Sequence, residues 1–388
     1  MVTETKADKY GKGNGHQPPA GLANADRADG AIALARDSSR NGTEIPAEPL
    51  SDLAGSSCWM ISDGRAGNIA QLRGVALALG LEARQIDVSP TGLWKTFAPW
   101  APVAPSERLG KQDGIFCPPW PDIAMATGRA SIPYIRALKR LAGPETFTLV
   151  LQDPKSGPAT ADMIWVPAHD KRRGGNVFTT LTSPHAYTPS RIDALRGSLS
   201  ADILALPAPR VLVSLGGRNK VYRFSDEDHR RLASGLKSLA ELGASFMMTA
   251  SRRSHPELIA AARSAIEDAP RIFWDGSGEN PYPQFLAAAD VLVVTGDSVN
   301  MCGEACATGR PVLVFHPSGG SAKFDRFHKA LETQGAVRPM PEVFDAIPVW
   351  TYRPLQSAQR IAVEVQRRYH EFCARRTASR ADPIHEAD

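Results

Sequence analysis

With 388 residues, 43% of them hydrophobic, the chain is long enough to bury two cores. A formal net charge of +4, with no basic run interleaved with aromatics, excludes a dedicated nucleic-acid binder; it is compatible with phosphate-bearing ligands or an acidic membrane surface. Five scattered cysteines without a CxxC pair exclude a disulfide framework and a structural zinc site.

No apolar window of about 18 residues is present, and the N-terminus lacks the apolar core of a signal peptide. The expected location is the cytoplasm, with peripheral contact to the inner membrane left open.

Residues 1–55 are rich in Gly, Ala, Asp, Asn, Pro and Lys and nearly free of aromatics, the composition of a disordered tail. Order is expected to begin with a strand at Ser57–Ile61. It feeds the loop Asp63-Gly64-Arg65-Ala66-Gly67-Asn68 and then a helix from Ile69 to Gly80. The two glycines let backbone N–H groups approach an anion, and Arg65 adds charge. The spacing is neither the dinucleotide GxGxxG nor a Walker loop.

Further strands are expected at Pro121–Ala126, Phe147–Leu151, Met163–Val166 and Asn176–Thr180. Arg129, Asp153, His169 and Asp170 stand just beyond the C-terminal ends of three of these strands, as Asp63 does beyond the first. That edge is where open α/β sheets bind ligands. One such residue is usually a turn or cap; five at successive strand ends point to a site.

After a connecting stretch from Thr188 to Leu206, the strand Arg210–Leu215 runs into Gly216-Gly217-Arg218, a turn with the shape and charge for a diphosphate. A helix over 226–242 follows, then a strand Ser245–Thr249 ending near Ser251-Arg252, a helix over 256–267, and a strand Ile272–Trp274.

The β-branched run Ala289–Val294 then leads through Gly296-Asp297-Ser298-Val299-Asn300-Met301 into a short helix carrying Glu304. Gly309 and Pro311 stop this helix before the strand Pro311–Phe315. Ser298 or Asn300 can cap the helix, and Glu304, in its first turns, offers two acceptors to a ribose or sugar diol. Cys302 and Cys306, four apart on this helix, read as small buried thiols rather than metal ligands. A last helix lies between Pro348 and Arg375, with Ile361, Val365 and Tyr369 on one stripe.

The pattern is α/β: two doubly wound Rossmann-like domains, 56–200 and 201–345, with a helical segment 346–375 packing back and a frayed tail 376–388.

The second half, with Gly216-Gly217, Ser251-Arg252 and the Asp297-Ser298 to Glu304 helix, resembles the donor domain of nucleotide-sugar glycosyltransferases of the GT-B architecture. The motifs Asp63 to Asn68 with Gln71, Gln152-Asp153-Pro154, Pro167-Ala168-His169-Asp170 and Asp297 to Met301 with Glu304 to Pro311 resemble those of the mitochondrial-fission ELM family. The resemblance runs from about residue 57 to 375. It implies a GT-B-like arrangement.

On that basis the expected activity is a nucleotide-diphosphate-sugar-dependent glycosyltransferase, with the nucleotide sugar as co-substrate and no resident cofactor or metal. A cell-envelope glycan or lipid precursor is the acceptor suggested by fold analogy. The donor set is Gly216, Gly217, Arg218, Ser251, Arg252, Asp297, Ser298, Asn300, Met301 and Glu304. The acceptor or anion loop is Asp63, Gly64, Arg65, Gly67, Asn68, Gln71 and Arg129; Asp153, His169 and Asp170 are the candidate bases. The rival readings are a non-catalytic scaffold that keeps a nucleotide-sugar-like pocket, and an epimerase or hydrolase of the same fold.

Overall fold

The computed structural model describes residues 52, 53 and 55–381. The expectation for the first 55 residues, and that for the tail after residue 381, lie outside the described residues save for those at positions 52, 53 and 55.

The first sheet contains β1 (Cys58–Ser62), β2 (Ala83–Asp87), β3 (Ile123–Thr127), β4 (Phe147–Leu151), β5 (Met163–Pro167) and β6 (Val177–Thr180). All neighbours are parallel, in the order β2-β1-β3-β4-β5-β6. Every residue of β1, β3, β4 and β5 is buried. Crossovers through α1 (Ala66–Ala78), α2 (Gly92–Phe97) and α3 (Ile132–Ala142) put cover on the faces of such a sheet, so its strands read as unbroken apolar runs.

A linker bearing α4 (Pro189–Arg196) and α5 (Ala201–Ala205) leads to the second sheet. Its strands are β7 (Arg210–Leu215), β8 (Ser245–Ala250), β9 (Arg271–Trp274), β10 (Val291–Thr295), β11 (Val312–Phe315) and β12 (Val337–Pro339). They are again parallel, in the order β12-β11-β10-β7-β8-β9, the doubly wound order of a Rossmann sheet. The connecting helices are α6 (Asp226–Glu241), α7 (Pro256–Ser264), α8 (Tyr282–Ala288), α9 (Val299–Ala305) and α10 (Ala322–Thr333). Ser225 starts α6 with a capping box closed by Asp228, which explains why this helix is legible from its sequence.

Two packing facts differ from the expected partition. Ile192, Ile203 and Leu206 belong to the second sheet's core, joined by partly buried Tyr187 and Leu195, so the stretch expected to close the first domain packs with the second. The last helix, α11 (Ser357–Ala381), runs six residues beyond Arg375. It crosses back onto α1, β5 and β6 and places Ala358, Ile361, Ala362, Val365 and Tyr369 in the first core. The stripe read at Ile361, Val365 and Tyr369 is the face it buries. The strands β2 and β12 and the helices α2, α8 and α10 have no counterpart in the sequence reading. Half-exposed β2 and three-residue β12 carry no apolar run to reveal them.

Each sheet has one point where the winding reverses, between β1 and β3 in the first and between β7 and β10 in the second. Loops leaving the C-terminal ends of those strands open the crevice in which doubly wound sheets hold ligands. The two crevices meet: Gln71 Nε2, on α1, donates to Asn300 Oδ1, on α9, at 3.3 Å. Two doubly wound units joined along their C-terminal edges, with a final helix returning to the first, form a GT-B-like arrangement.

Gly74 lets α1 lie against the segment before α4, since a Cβ there would meet His185 backbone atoms at 2.7–2.9 Å. Gly74→Ala is therefore expected to destabilise the fold by about 1–3 kcal/mol, read as a lower urea midpoint with an unchanged slope.

Candidate functional site

The second crevice is built around Asp297, the second residue after β10. Its carboxylate accepts from the Gly217 N–H at 3.0 Å and from Thr295 Oγ1 at 2.7 Å, and pairs with Arg253 Nη2 at 3.1 Å. Thr295 Oγ1 in turn accepts from the Gly216 N–H at 2.7 Å. Burial raises the Asp297 pKa above the ordinary carboxylate value, against the opposing pull of Gly217, Thr295 and Arg253. Asp297, expected to meet a ligand, thus locks the loop after β7 to the loop after β10 with a side chain that has no exposed surface.

Close packing on either side of this turn explains the glycine pair. A Cβ on Gly216 would lie 2.1 Å from Asp297 Oδ1, and one on Gly217 would lie 2.0 Å from the Arg253 carbonyl oxygen. Because the amides of both glycines donate inward to Thr295 and Asp297, they are not the diphosphate donors the sequence suggested. Outward-facing charge comes from exposed Arg218, Lys220 and Arg252, which have no carboxylate within ion-pair distance among the described residues. Ser251 accepts from the Arg253 N–H at 3.2 Å and holds the loop after β8 in place.

Ser298 caps α9, its Oγ accepting from the Met301 N–H at 3.4 Å. The Met301 side chain packs partly buried against the core. Asn300 is spent on the bridge to Gln71. Glu304, six residues after the Ser298 cap, is the penultimate residue of the seven-residue α9 and stands about 9 Å along the axis from that cap.

There it belongs to a cluster the sequence reading missed. Tyr282 Oη donates to Glu304 Oε2 at 2.9 Å, and the Tyr282 and Tyr187 rings meet edge to face at 6.3 Å between centroids. The Arg191 guanidinium lies over Tyr187 at 5.9 Å. Burial pushes the Glu304 carboxyl up to about 7, the Tyr282 hydrogen bond opposing it. No local signal marks Tyr187 or Tyr282, since each comes from a different connection and only the tertiary fold joins them.

In the first crevice Asp63 Oδ1 accepts from Asn68 Nδ2 at 2.8 Å and from the Arg65 N–H at 3.4 Å. Gly128, with φ of +91°, passes so close that a Cβ would meet Asp63 Oδ2 at 2.5 Å. Gly64, with φ of +76°, turns the loop and donates its N–H to Ser62 Oγ at 3.1 Å. Gly67 faces the second half, where a Cβ would lie 3.4 Å from Asn300 Nδ2. Gln152 Nε2 donates to Asn68 Oδ1 at 3.3 Å and to Gln71 Oε1 at 3.1 Å, so one amide chain runs from Asp63 to Asn300. Arg65 stays largely exposed, 3.6 Å from Asp63. Arg129 is not available to an anion: it donates to the carbonyls of Ala98 and, at 2.7 Å, of Thr96.

The candidate bases part company. Asp153 accepts from Lys155 Nζ and from Arg172 Nη1, both at 2.8 Å. Burial alone would raise its pKa, but the bonds from Lys155 and Arg172 outweigh it and hold the carboxyl below its ordinary value. A doubly paired carboxylate is a weak base. His169 and Asp170 do not pair with each other. Asp170 pairs across the crevice with Lys323 at 2.5 Å, and the His169 carbonyl accepts from Arg326 Nη2 at 3.2 Å. The His169 ring sits against Phe327 at 5.3 Å, and its Nδ1 has no hydrogen-bond partner. Burial, helped by Lys323, pulls its pKa down to about 4, so it is neutral at pH 7. Among the described residues no cluster of three His, Cys, Asp or Glu side chains is placed to hold a metal ion, and no helix is long and apolar enough to cross a membrane.

Residues 66–369 match the sequence model of the family described as Mitochondrial fission ELM1. The chain belongs to that family. It is 29% identical over 271 residues to the mitochondrial fission protein ELM1 of Arabidopsis thaliana, covering 64% of each chain. It is 31% identical over 157 residues to an uncharacterized protein of Rickettsia prowazekii (strain Madrid E), covering 39% of this chain and 44% of that one. The match therefore spans less than two thirds of the length of either relative. Among solved structures, MurG of Acinetobacter baumannii is 14% identical, covers 82% of this chain and 94% of its own, and gives a TM-score of 0.43. A UDP-GlcNAc 2-epimerase from Neisseria meningitidis bound to UDP-GlcNAc is 10% identical, covers 81% and 92%, and gives 0.44.

Three histidines of this ELM1-family chain, His169, His185 and His328, are each pulled down by burial to about 4. In the unfolded chain they protonate near 6.5, so their contribution to stability is full above that pH and is lost as pH falls from 6.5 toward 4. The urea midpoint is expected to drop steeply over that window, and His185→Gln should flatten part of the drop.

Proposed function

We propose that this ELM1-family chain binds a nucleoside-diphosphate sugar in the crevice of its second sheet. The observation that supports the reading most strongly is the pairing of two features on that edge. Arg218, Lys220 and Arg252 form a cationic set without carboxylate partners, and Glu304 is held beside a tyrosine pair. The cations suit a diphosphate. Ionised Glu304 accepts two hydroxyl donors from a ribose, and the faces of Tyr187 and Tyr282 offer apolar surface to a base or sugar ring.

In the transferase form of this reading, an acceptor hydroxyl attacks the anomeric carbon and the nucleoside diphosphate departs, its charge met by the same cations. His169 is the candidate base left without a paired cation or a hydrogen-bond partner on Nδ1, whereas Asp153 is held by two cations; burial of that nitrogen and a pKa pulled down to about 4 make it a weak base as well. The neutralisation of Asp153 and the bridging of Asp170 to Lys323 favour a second reading, in which the nucleotide sugar is bound without turnover and the chain acts as an adaptor.

A thermal-shift series with nucleoside diphosphates and their sugars tests the common core. A ligand about 100-fold above its dissociation constant should add about 2.7 kcal/mol to the native state. Ribose hydroxyls donate to the ionised carboxylate, so the shift should grow as pH rises through 7, and Glu304→Gln should remove both the shift and its pH dependence. In the ligand-free protein the raised carboxyl has the opposite sign: its stabilising proton is lost as pH rises from about 4.5 through 7, a difference of about 3 kcal/mol at most that Glu304→Gln should abolish. No shift with any nucleotide sugar would sink the proposal. Release of nucleoside diphosphate that depends on an added acceptor would separate the transferase from the adaptor.

A further inference from the structure

The stretch around α2 is the most apolar surface the described residues expose. Leu93, Phe97 and Trp100 have 72%, 58% and 63% of their surface accessible. From Gly92 to Ser106 the only charged residue is Lys95, which is also exposed. An isolated exposed leucine needs no explanation, but three large apolar side chains within eight residues form a patch.

These side chains are held out rather than loosely displayed. Arg129 donates to the Thr96 carbonyl at 2.7 Å and to that of Ala98, and Arg136 Nη1 donates to the carbonyls of Pro99 and Trp100 at 3.1 and 3.2 Å. Trp100 Nε1 reaches the Lys155 carbonyl at 3.1 Å, fixing the indole while its ring stays in solvent. Two guanidinium groups thus tie four carbonyls between Thr96 and Trp100, in a loop that buries Ala98 while Leu93, Phe97 and Trp100 stay mostly exposed.

We propose that this loop docks the protein on an anionic lipid bilayer. Two arguments choose the bilayer over a protein. The first is area. Three side chains of this size offer at most a few hundred Å², well under the roughly 800 Å² per partner of a stable protein interface. That footprint matches insertion of about 5–10 Å into the headgroup boundary. The second is charge. Lys95 is exposed on the loop; beneath it Arg129 and Arg136 spend their N–H groups on loop carbonyls but keep their positive charge, Lys155 and Arg172 share the Asp153 carboxylate, and Glu107, which follows the loop, accepts from Tyr134. Tryptophan and phenylalanine beside lysine is the composition that settles at a bilayer interface. The loop follows β2 and is tied to residues after β3 and β4, so docking would set the C-terminal edge of the first sheet, and the crevice on it, toward the membrane. The proposal stands without the nucleotide-sugar reading and does not depend on it.

The test is co-sedimentation of the full chain with large unilamellar vesicles of phosphatidylglycerol and phosphatidylcholine, against vesicles of phosphatidylcholine alone. The wild type should partition onto the anionic vesicles, bind the neutral ones several-fold more weakly, and lose binding as sodium chloride is raised to 0.5 M. Leu93→Glu/Phe97→Glu should lower the partition coefficient at least tenfold, and Lys95→Glu severalfold, with melting temperatures kept because the replaced side chains are exposed. Failure of the wild type to sediment with anionic vesicles overturns the proposal, and so does a double variant that binds within twofold of wild type. A patch that instead drives wild-type dimers, lost in the double variant and without vesicle binding, overturns it in favour of self-association.

Discussion

The buried carboxylate of Asp297 is the interaction on which the second crevice depends. A carboxylate without exposed surface is tolerated only when its oxygens are fully engaged, and here a backbone amide, a hydroxyl and a guanidinium engage them. Because those donors come from the turns after β7 and β10 and from the loop after β8, one side chain joins the three connections nearest the switch point. Gly217 is kept bare by the Arg253 backbone beside it, while Gly216 follows from Asp297, since a Cβ there would strike its carboxylate. So does the outward projection of Arg218 and Lys220, the next charged residues once the glycine amides are turned inward.

The first crevice is organised by a different chemistry. Asn68, Gln71, Gln152 and Asn300 each carry an amide that can donate and accept at once, which lets a chain of hydrogen bonds pass from one sheet to the other without a charged member. Asp63 anchors one end of it. Farther along the junction, Asp170 with Lys323 and the His169 carbonyl with Arg326 supply charged contacts. Residues that looked like one catalytic row therefore divide by role. Some register the two halves against each other, some close their own loops, and Glu304, the cations without carboxylate partners and the His169 ring nitrogen are not spent in that way.

The α/β alternation, the two doubly wound halves and the family are legible in the sequence. Buried parallel strands are unbroken apolar runs such as Val291–Thr295, and several of the helices open on a serine cap, as at Ser225 and Ser298. The concentration of Asp63, Asp153, His169, Asp170, Gly216 and Asp297 at strand ends is equally local, because topology sends every strand's C-terminal end to one edge. Half-exposed β2, three-residue β12 and the six-residue helix α2 carry no periodicity and stay invisible.

What each of those residues does with its polar atoms is decided only in three dimensions. Gly216 and Gly217 resemble a phosphate turn until Thr295 and Asp297, some eighty residues on, take their amides. Asp153 resembles a base until Arg172 and Lys155 neutralise it, and Glu304 becomes unusual only where Tyr282 meets it. The sequence by itself determined the buried strands, most of the helices that connect them, the α/β alternation and the edge on which the candidate residues stand, because periodicity and capping act between near neighbours. The tertiary structure decided which side chains are spent on the fold and which remain for a ligand, because burial and pairing depend on partners that the chain brings together only after folding.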